Sequence, residues 1–233
     1  MKLYIIATFL LVSSIAKAQD IFESADLFFS KYVENGNVNY AGIKKEPKML
    51  DDLVEQIANH NLSNKRVTSD YMKALYINAY NVLVIKQVVD RYPIYGPLKV
   101  EGFFNGISHT IIGEEMTLDQ LEKGTLYKSF PDPRLHFALV CAAKGCPPIA
   151  DFAYRPLTVE KLLTERTKYV LNLDWFIVVE KSGVKISQIF DWYKTDFEGT
   201  PSTQISFINL YRDSKLKEDT KVRFYDYDWS LNE

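Results

Sequence analysis

The chain has 233 residues, 47% of them apolar and 14% aromatic, enough to bury a sizeable core in one large domain. Its 28 basic and 30 acidic residues leave a formal charge of -2, and without a clustered basic face there is no electrostatic footprint for nucleic acid. No stretch beyond the start is apolar for the roughly 20 residues that a membrane-spanning helix needs.

The first segment reads as a leader. MKLYIIATFLLVSSIAKAQD opens with Lys2, runs apolar from Leu3 to Ile15 and ends in Ala16-Lys17-Ala18. These are the three parts of a secretory signal. The apolar part is too short for a bilayer, so removal of residues 1–18 is expected, against the alternative of an uncleaved anchor. The mature chain, 19–233, is then a soluble domain exported to the periplasm or beyond. Losing Lys2 and Lys17 and no acid moves its formal charge from -2 to -4.

In chain order, residues 20–33 carry apolar side chains at helical spacing, and Asn35-Gly36-Asn37 stops the pattern. Residues 49–57 repeat it. The longest helix candidate is SDYMKALYINAYNVLVIKQVVDRYP, with Ser69 placed to cap its start and Pro93 after its end. It is apolar around most of its circumference, which predicts a central position. A strand is expected at His109–Ile112, with a turn at Gly113-Glu114-Glu115 behind it. A second strand is expected at Arg134–Cys141, where LHFALVC is a nearly continuous apolar run. Residues 175–180 and 184–186 read as a hairpin around Lys181-Ser182-Gly183. Helices fit 117–126, 159–171 and 206–211. Helices and strands without regular alternation predict an α+β single domain, several helices around a small mixed or antiparallel sheet.

Several phrases occur in a familiar order: NGNVNYAGI (35–43), ALYINAYNVLV (74–84), MTLDQLEKGTL (116–126), DPRLHFALVCAAKGCPP (132–148), ISQIFDWYKTDF (186–197) and YDYDWSLN (225–232). On these the chain resembles the domain of unknown function 547 family over about residues 22–232. The resemblance implies one domain and no particular reaction. The sequence departs from the family pattern at Lys123, where members often carry histidine, and at Tyr127, where arginine is usual.

HFALVCAAKGCPPIA (136–150) holds a histidine and both cysteines, and it admits three chemistries. The first is a thiol nucleophile, activated by a base or a positive field. All three histidines, His60, His109 and His136, precede both cysteines, the reverse of the order in papain-like and transglutaminase-like enzymes. On a strand, His136 and Cys141 would point to opposite faces about 17 Å apart. On a helix they would lie about 140° apart. His109 is therefore the better partner, and His136 meets Cys146 only if the intervening turn folds back. Cys141, ending the apolar run, is expected to be buried and inert, whereas Cys146, beside glycine and prolines, is expected to be exposed and the preferred nucleophile. The second chemistry is a Cys141–Cys146 disulfide, suited to an exported protein and possible only where the chain turns; a pair this close can also be a redox couple, although the C-x-x-C spacing of thioredoxin-like proteins is absent. The third, a metal held by His109, His136, Cys141 and Cys146, lacks the spacing of known zinc patterns, so no metal and no cofactor is expected.

Four further residues are candidates for binding. Asn78 and Asn81 share a helix face and are expected to bond loop backbone, as buried amides must, or to stabilise an oxyanion beside a catalytic thiol. Glu122 and Arg134 are expected to pair. Tyr193 and Asp196 are expected to tie a helix to the core. Two functions remain open: a thiol-dependent hydrolase or acyl transferase of the cell envelope, and a non-catalytic binding or structural module with a disulfide. Partner and substrate stay unidentified.

Overall fold

A computed structural model describes residues 20–63, 65–199 and 203–233. Residues 1–19, where the secretory signal is expected, lie outside the described residues. Helix α1 (Ile21–Tyr32) starts where the Asp20 carboxylate accepts the Phe22 N–H at 3.3 Å. It ends where Asn35 and Gly36 take φ of 52° and 81° and fold β1 (Val33–Glu34) back onto β2 (Asn37–Val38). That is the left-handed pair a two-residue hairpin requires. Next come α2 (Tyr40–Lys45), α3 (Lys48–Ala58) and the long α4 (Ser69–Arg91). The cap of α4 is Thr68 rather than Ser69, its hydroxyl accepting the Tyr71 N–H at 3.1 Å. From Ala74 to Val89, α4 is enclosed on nearly every side, with α1, α2 and α3 packed against it.

Strands β3 (Ser108–Ile111) and β4 (Glu114–Thr117) form an antiparallel hairpin. Its turn is Ile112-Gly113, at φ 53° and 80°, so Glu114 and Glu115 already belong to β4 instead of to the expected turn. The turn amides dock on the end of α3, Ile112 N–H on Ile57 O at 3.0 Å and Gly113 N–H on Ala58 O at 2.8 Å. The helix expected at 117–126 is a π-helix over Gln120–Tyr127. Such wide turns are rare and are frequent at functional sites.

The strand expected at Arg134–Cys141 does not form. Asp132 accepts the Arg134 N–H at 2.9 Å, Pro133 occupies the first turn, and the chain makes a 3-10 helix over Pro133–Phe137 before running irregularly to Cys146. A continuous apolar run reports burial and leaves the backbone conformation open. Here the peptide groups are satisfied by a side chain instead of a neighbouring strand. Asn81 of α4 donates to Ala138 O at 2.9 Å and accepts the Val140 N–H at 3.0 Å.

The remaining elements are α5 (Val159–Leu171), β5 (Ile177–Glu180), β6 (Gly183–Ile186), α6 (Ile189–Trp192), α7 (Lys194–Phe197), α8 (Gln204–Tyr211) and β7 (Val222–Phe224). β5 and β6 pair antiparallel, and β7 joins β6 in parallel. Phe137 sits among Phe176, Phe190, Phe197 and Phe207 at ring separations of 6.0–6.1 Å, which locks the 3-10 segment onto the C-terminal half. The class is α+β in a single domain, as the sequence predicts. Among the described residues no helix is long and apolar enough to cross a membrane.

Candidate functional site

Cys141 and Cys146 are joined, with Sγ–Sγ 2.12 Å and Cα–Cα 6.3 Å. The loop between them turns at Ala142, φ 60°, and is held by the C-terminal segment: Lys144 N–H bonds Ser230 O, Gly145 N–H bonds Asp228 O and Asn232 N–H bonds Ala142 O. Gly145 is required there, because a Cβ would stand 2.9 Å from both the Asp228 amide and the Tyr227 ring. That close approach lays the Tyr227 hydroxyl across the two sulfurs, 3.0 Å from Cys146 Sγ and 3.2 Å from Cys141 Sγ. The Cys141 N–H also points at Cys146 Sγ, at 2.9 Å. Burial holds the Tyr227 phenol well above its ordinary range, so it keeps its proton and stays a donor.

The disulfide lies in a cleft of about 220 Å³, which Glu122, His136, Trp192, Tyr193 and Trp229 also line. Trp192, Tyr227 and Trp229 form an aromatic wall with ring separations of 4.8–5.8 Å. His136 is buried between aromatic faces, 4.8 Å from the Tyr127 ring and 4.0 Å from Tyr193, and its Nε2 lies 2.8 Å from Asp196 Oδ2. A carboxylate only accepts, so Nε2 carries the hydrogen.

Glu122, on the π-helix, is buried beneath two phenols, accepting from Tyr80 at 3.0 Å and from Tyr193 at 3.2 Å. Burial pushes its carboxyl up, and the hydrogen bonds together with nearby positive charge offset only part of that rise. The folded protein therefore binds more protons than the unfolded chain between the ordinary 4.5 and the raised value. The stability this carboxyl contributes is fully present below 4.5 and lost as pH rises through the raised value. Glu122→Gln is expected to keep the stability that the parent loses there. Urea midpoints of both proteins across about pH 4 to 8 check it, and a parent-minus-variant difference flat with pH would overturn it.

The expected site residues divide. Cys141, Cys146, His136 and Glu122 meet at the cleft, because the 3-10 turn brings His136 and the loop to one wall. His109 is elsewhere, on β3, with its Nε2 2.9 Å from the Gln87 amide of α4, and burial pushes its pKa down. The expected Glu122–Arg134 pair does not form. Arg134 turns to Asp132, its own cap, and to Glu160 and Thr164 of α5, whereas Glu122 faces the phenols. The exposure expected of the cysteines is reversed: Cys146 is 5% exposed beside the Tyr227 hydroxyl, and Cys141 is half-buried at the cleft. Asn78 and Asn81 bond backbone, Asn78 making a reciprocal pair with the Tyr154 carbonyl at 2.7 Å and amide at 2.9 Å. The two departures from the family pattern both border the site: Lys123 pairs with Asp119 at the cleft, and Tyr127 stacks on His136.

Sequence reasoning missed Tyr80, Tyr227, Trp192 and Trp229. The signal for Trp192, Tyr227 and Trp229 is the density of aromatics in DWYKTDF and YDYDWSLN, segments too short and polar for a core strand, whereas Tyr80 sits in the apolar run of α4 and carries none. Among curated proteins and among solved structures, nothing matches this chain. Residues 64–170, which span α4, the π-helix, the cysteine loop and most of α5, match the family described as "Protein of unknown function, DUF547".

Proposed function

We propose that this is an exported binding module whose cleft takes a small cyclic or flat organic ligand, with the disulfide as part of the wall. The observation that carries this reading is the bond between the two sulfurs: in this state the cleft offers no thiol nucleophile, yet it keeps an aromatic wall and polar groups at Glu122, Tyr193 and Lys123. Trp192 is 46% exposed beside the stacked Trp229, an apolar platform open to solvent. Flat rings stack on such faces, and nearby hydroxyls fix their orientation. A volume of about 220 Å³ is below the roughly 300–1,000 Å³ of drug-sized pockets, which suits an occupant on the scale of one ring. Export is supported by the leader at residues 1–18 and by the disulfide, a bond of oxidising compartments.

A panel of single-ring compounds, titrated against tryptophan fluorescence of the oxidised protein, tests the binding reading. Saturable quenching that is lost in Trp192→Ala is expected. If instead an aryl ester is hydrolysed only after reduction, with an acyl group trapped on Cys146, the thiol hydrolase or acyl transferase reading replaces it. Mass analysis of natively expressed protein tests export: a start at or next to Gln19 is expected, and a cytoplasmic product starting at Met1 would overturn it.

A further inference from the structure

We propose that the Cys141–Cys146 bond is a working dithiol–disulfide couple, exchanging with alkyl thiols that enter the cleft, with Cys141 as the sulfur attacked and Cys146 as the leaving thiolate. This goes beyond ligand binding and stands independently of it.

Three observations carry the assignment. The first is the asymmetry of exposure. Both cysteines line the cleft, but Cys141 is half-buried whereas Cys146 is only 5% exposed. An incoming thiolate therefore reaches Cys141 first. The second is what waits at Cys146. Its sulfur has two donors already in place, the Cys141 N–H at 2.9 Å and the Tyr227 hydroxyl at 3.0 Å. Donors aimed at a sulfur favour its charged form, and a lower thiol pKa makes a better leaving group. These donors are fixed before any reaction. The Cys141 N–H is set by the turn at Ala142, and Tyr227 is held by Gln188, which accepts its N–H at 2.9 Å, and by the absence of a side chain at Gly145. The third is the size of the loop. The two cysteines are only five positions apart, so the cross-link removes less entropy from the unfolded chain than one that closes a long loop. Stabilisation of the fold is a poor reason for this bond to sit in an open cleft.

A substrate thiol gives its proton to water and its thiolate attacks Cys141 Sγ. A new sulfur–sulfur bond forms there, the Cys141–Cys146 bond breaks, and its electron pair stays on Cys146 as thiolate, stabilised by the two donors. A second substrate thiol likewise gives its proton to water, and its thiolate attacks the substrate sulfur of the mixed disulfide and releases Cys141 as thiolate. Two protons return from water to the cysteines. Two substrate thiols have been oxidised to a disulfide, and the protein disulfide has been reduced to a dithiol. The reverse uses the same groups, with the Cys146 thiolate closing on Cys141.

The test uses the folded, oxidised full chain and reduced glutathione, followed by rapid alkylation and mass mapping. Glutathione on Cys141 with the alkyl label on Cys146 is expected. A glutathione adduct on Cys146, or no reaction until the protein is denatured, would overturn the assignment. In the reduced protein, the alkylation rate of Cys146 is expected to titrate below the free-thiol value of about 8.5. Tyr227→Phe is expected to raise that midpoint and to slow exchange about tenfold, the weight of one hydrogen bond to a charged group. An unshifted midpoint in a variant whose urea unfolding matches the parent would overturn the role given to Tyr227. Running the same reaction with an unfolded, reduced protein in place of glutathione distinguishes the sources: oxidation of glutathione alone assigns a small thiol, and oxidation of the protein thiols assigns a cysteinyl chain. Loss of exchange with ring binding intact rejects this inference and spares the binding reading, and the converse result does the opposite.

Discussion

Phe137→Ala is expected to cost about 3–5 kcal/mol, the range for removing a fully buried aromatic ring. The ring is completely enclosed and touches an aromatic cluster drawn from four different parts of the chain: Phe176 ahead of β5, Phe190 in α6, Phe197 in α7 and Phe207 in α8. These partners are themselves buried in rigid packing, so the space left behind has little to fill it, and the cavity adds to the lost transfer energy. The neighbour in sequence is His136, so the variant is expected to loosen the cleft as well as the core. Urea melts give the energy. A cost below about 1.5 kcal/mol, the level of a tolerated volume-conserving swap, would mean that the cluster collapses around the hole.

Asn81→Leu is expected to be destabilising on a similar scale. Its amide satisfies two buried peptide groups, the Ala138 carbonyl and the Val140 N–H, and each group left unpaired costs about 1–3 kcal/mol. Asn78→Leu removes an equivalent pair of bonds to Tyr154, so the same energetic cost per group is expected. The two variants differ in what else they disturb. Asn81 holds the peptide next to Cys141, whereas Asn78 holds a segment outside the cleft wall. Asn81→Leu is therefore expected to speed chemical reduction of the disulfide at a urea concentration where both variants remain folded, and Asn78→Leu is expected to leave it unchanged. Equal reduction rates in both would show that the amide anchors the fold without positioning the sulfur.

Legibility in the sequence followed the range of the interactions. Helices α1, α3, α4 and α5 were visible because apolar periodicity, caps and stop signals act within a few residues, and the β5–β6 hairpin was visible because its turn is local. The parallel partner β7 was not, since nothing in Val222–Phe224 names a strand some forty residues earlier. At the site, the cysteine loop, His136 and Glu122 stood out by residue type. Their mutual geometry did not, because LHFALVC reads as a strand by composition while Pro133 and the Asp132 cap wind its start into a 3-10 turn. The Arg134 pairing was misread for a related reason: a carboxylate two residues away, already a cap, outcompetes one that is buried beneath two phenols.

The clamp on the cysteine loop has a consequence for the order of events in synthesis. Asp228, Ser230 and Asn232 bond residues 142–145, Asn232 also accepts the Tyr40 hydroxyl at 2.7 Å and the Val38 N–H at 2.9 Å, and Leu231 N–H bonds Tyr95 O. Tyr40 and Asn232 are separated by 192 positions, and contacts this distant close only after the intervening chain has paid its loop entropy. A chain emerging from a ribosome presents both cysteines long before it presents Tyr227. During that interval the thiols are uncovered, without their hydroxyl donor, and open to whatever oxidant or trapping reagent surrounds them. The protein thus passes through two chemically distinct cysteine environments in its lifetime, and only the second is the folded cleft.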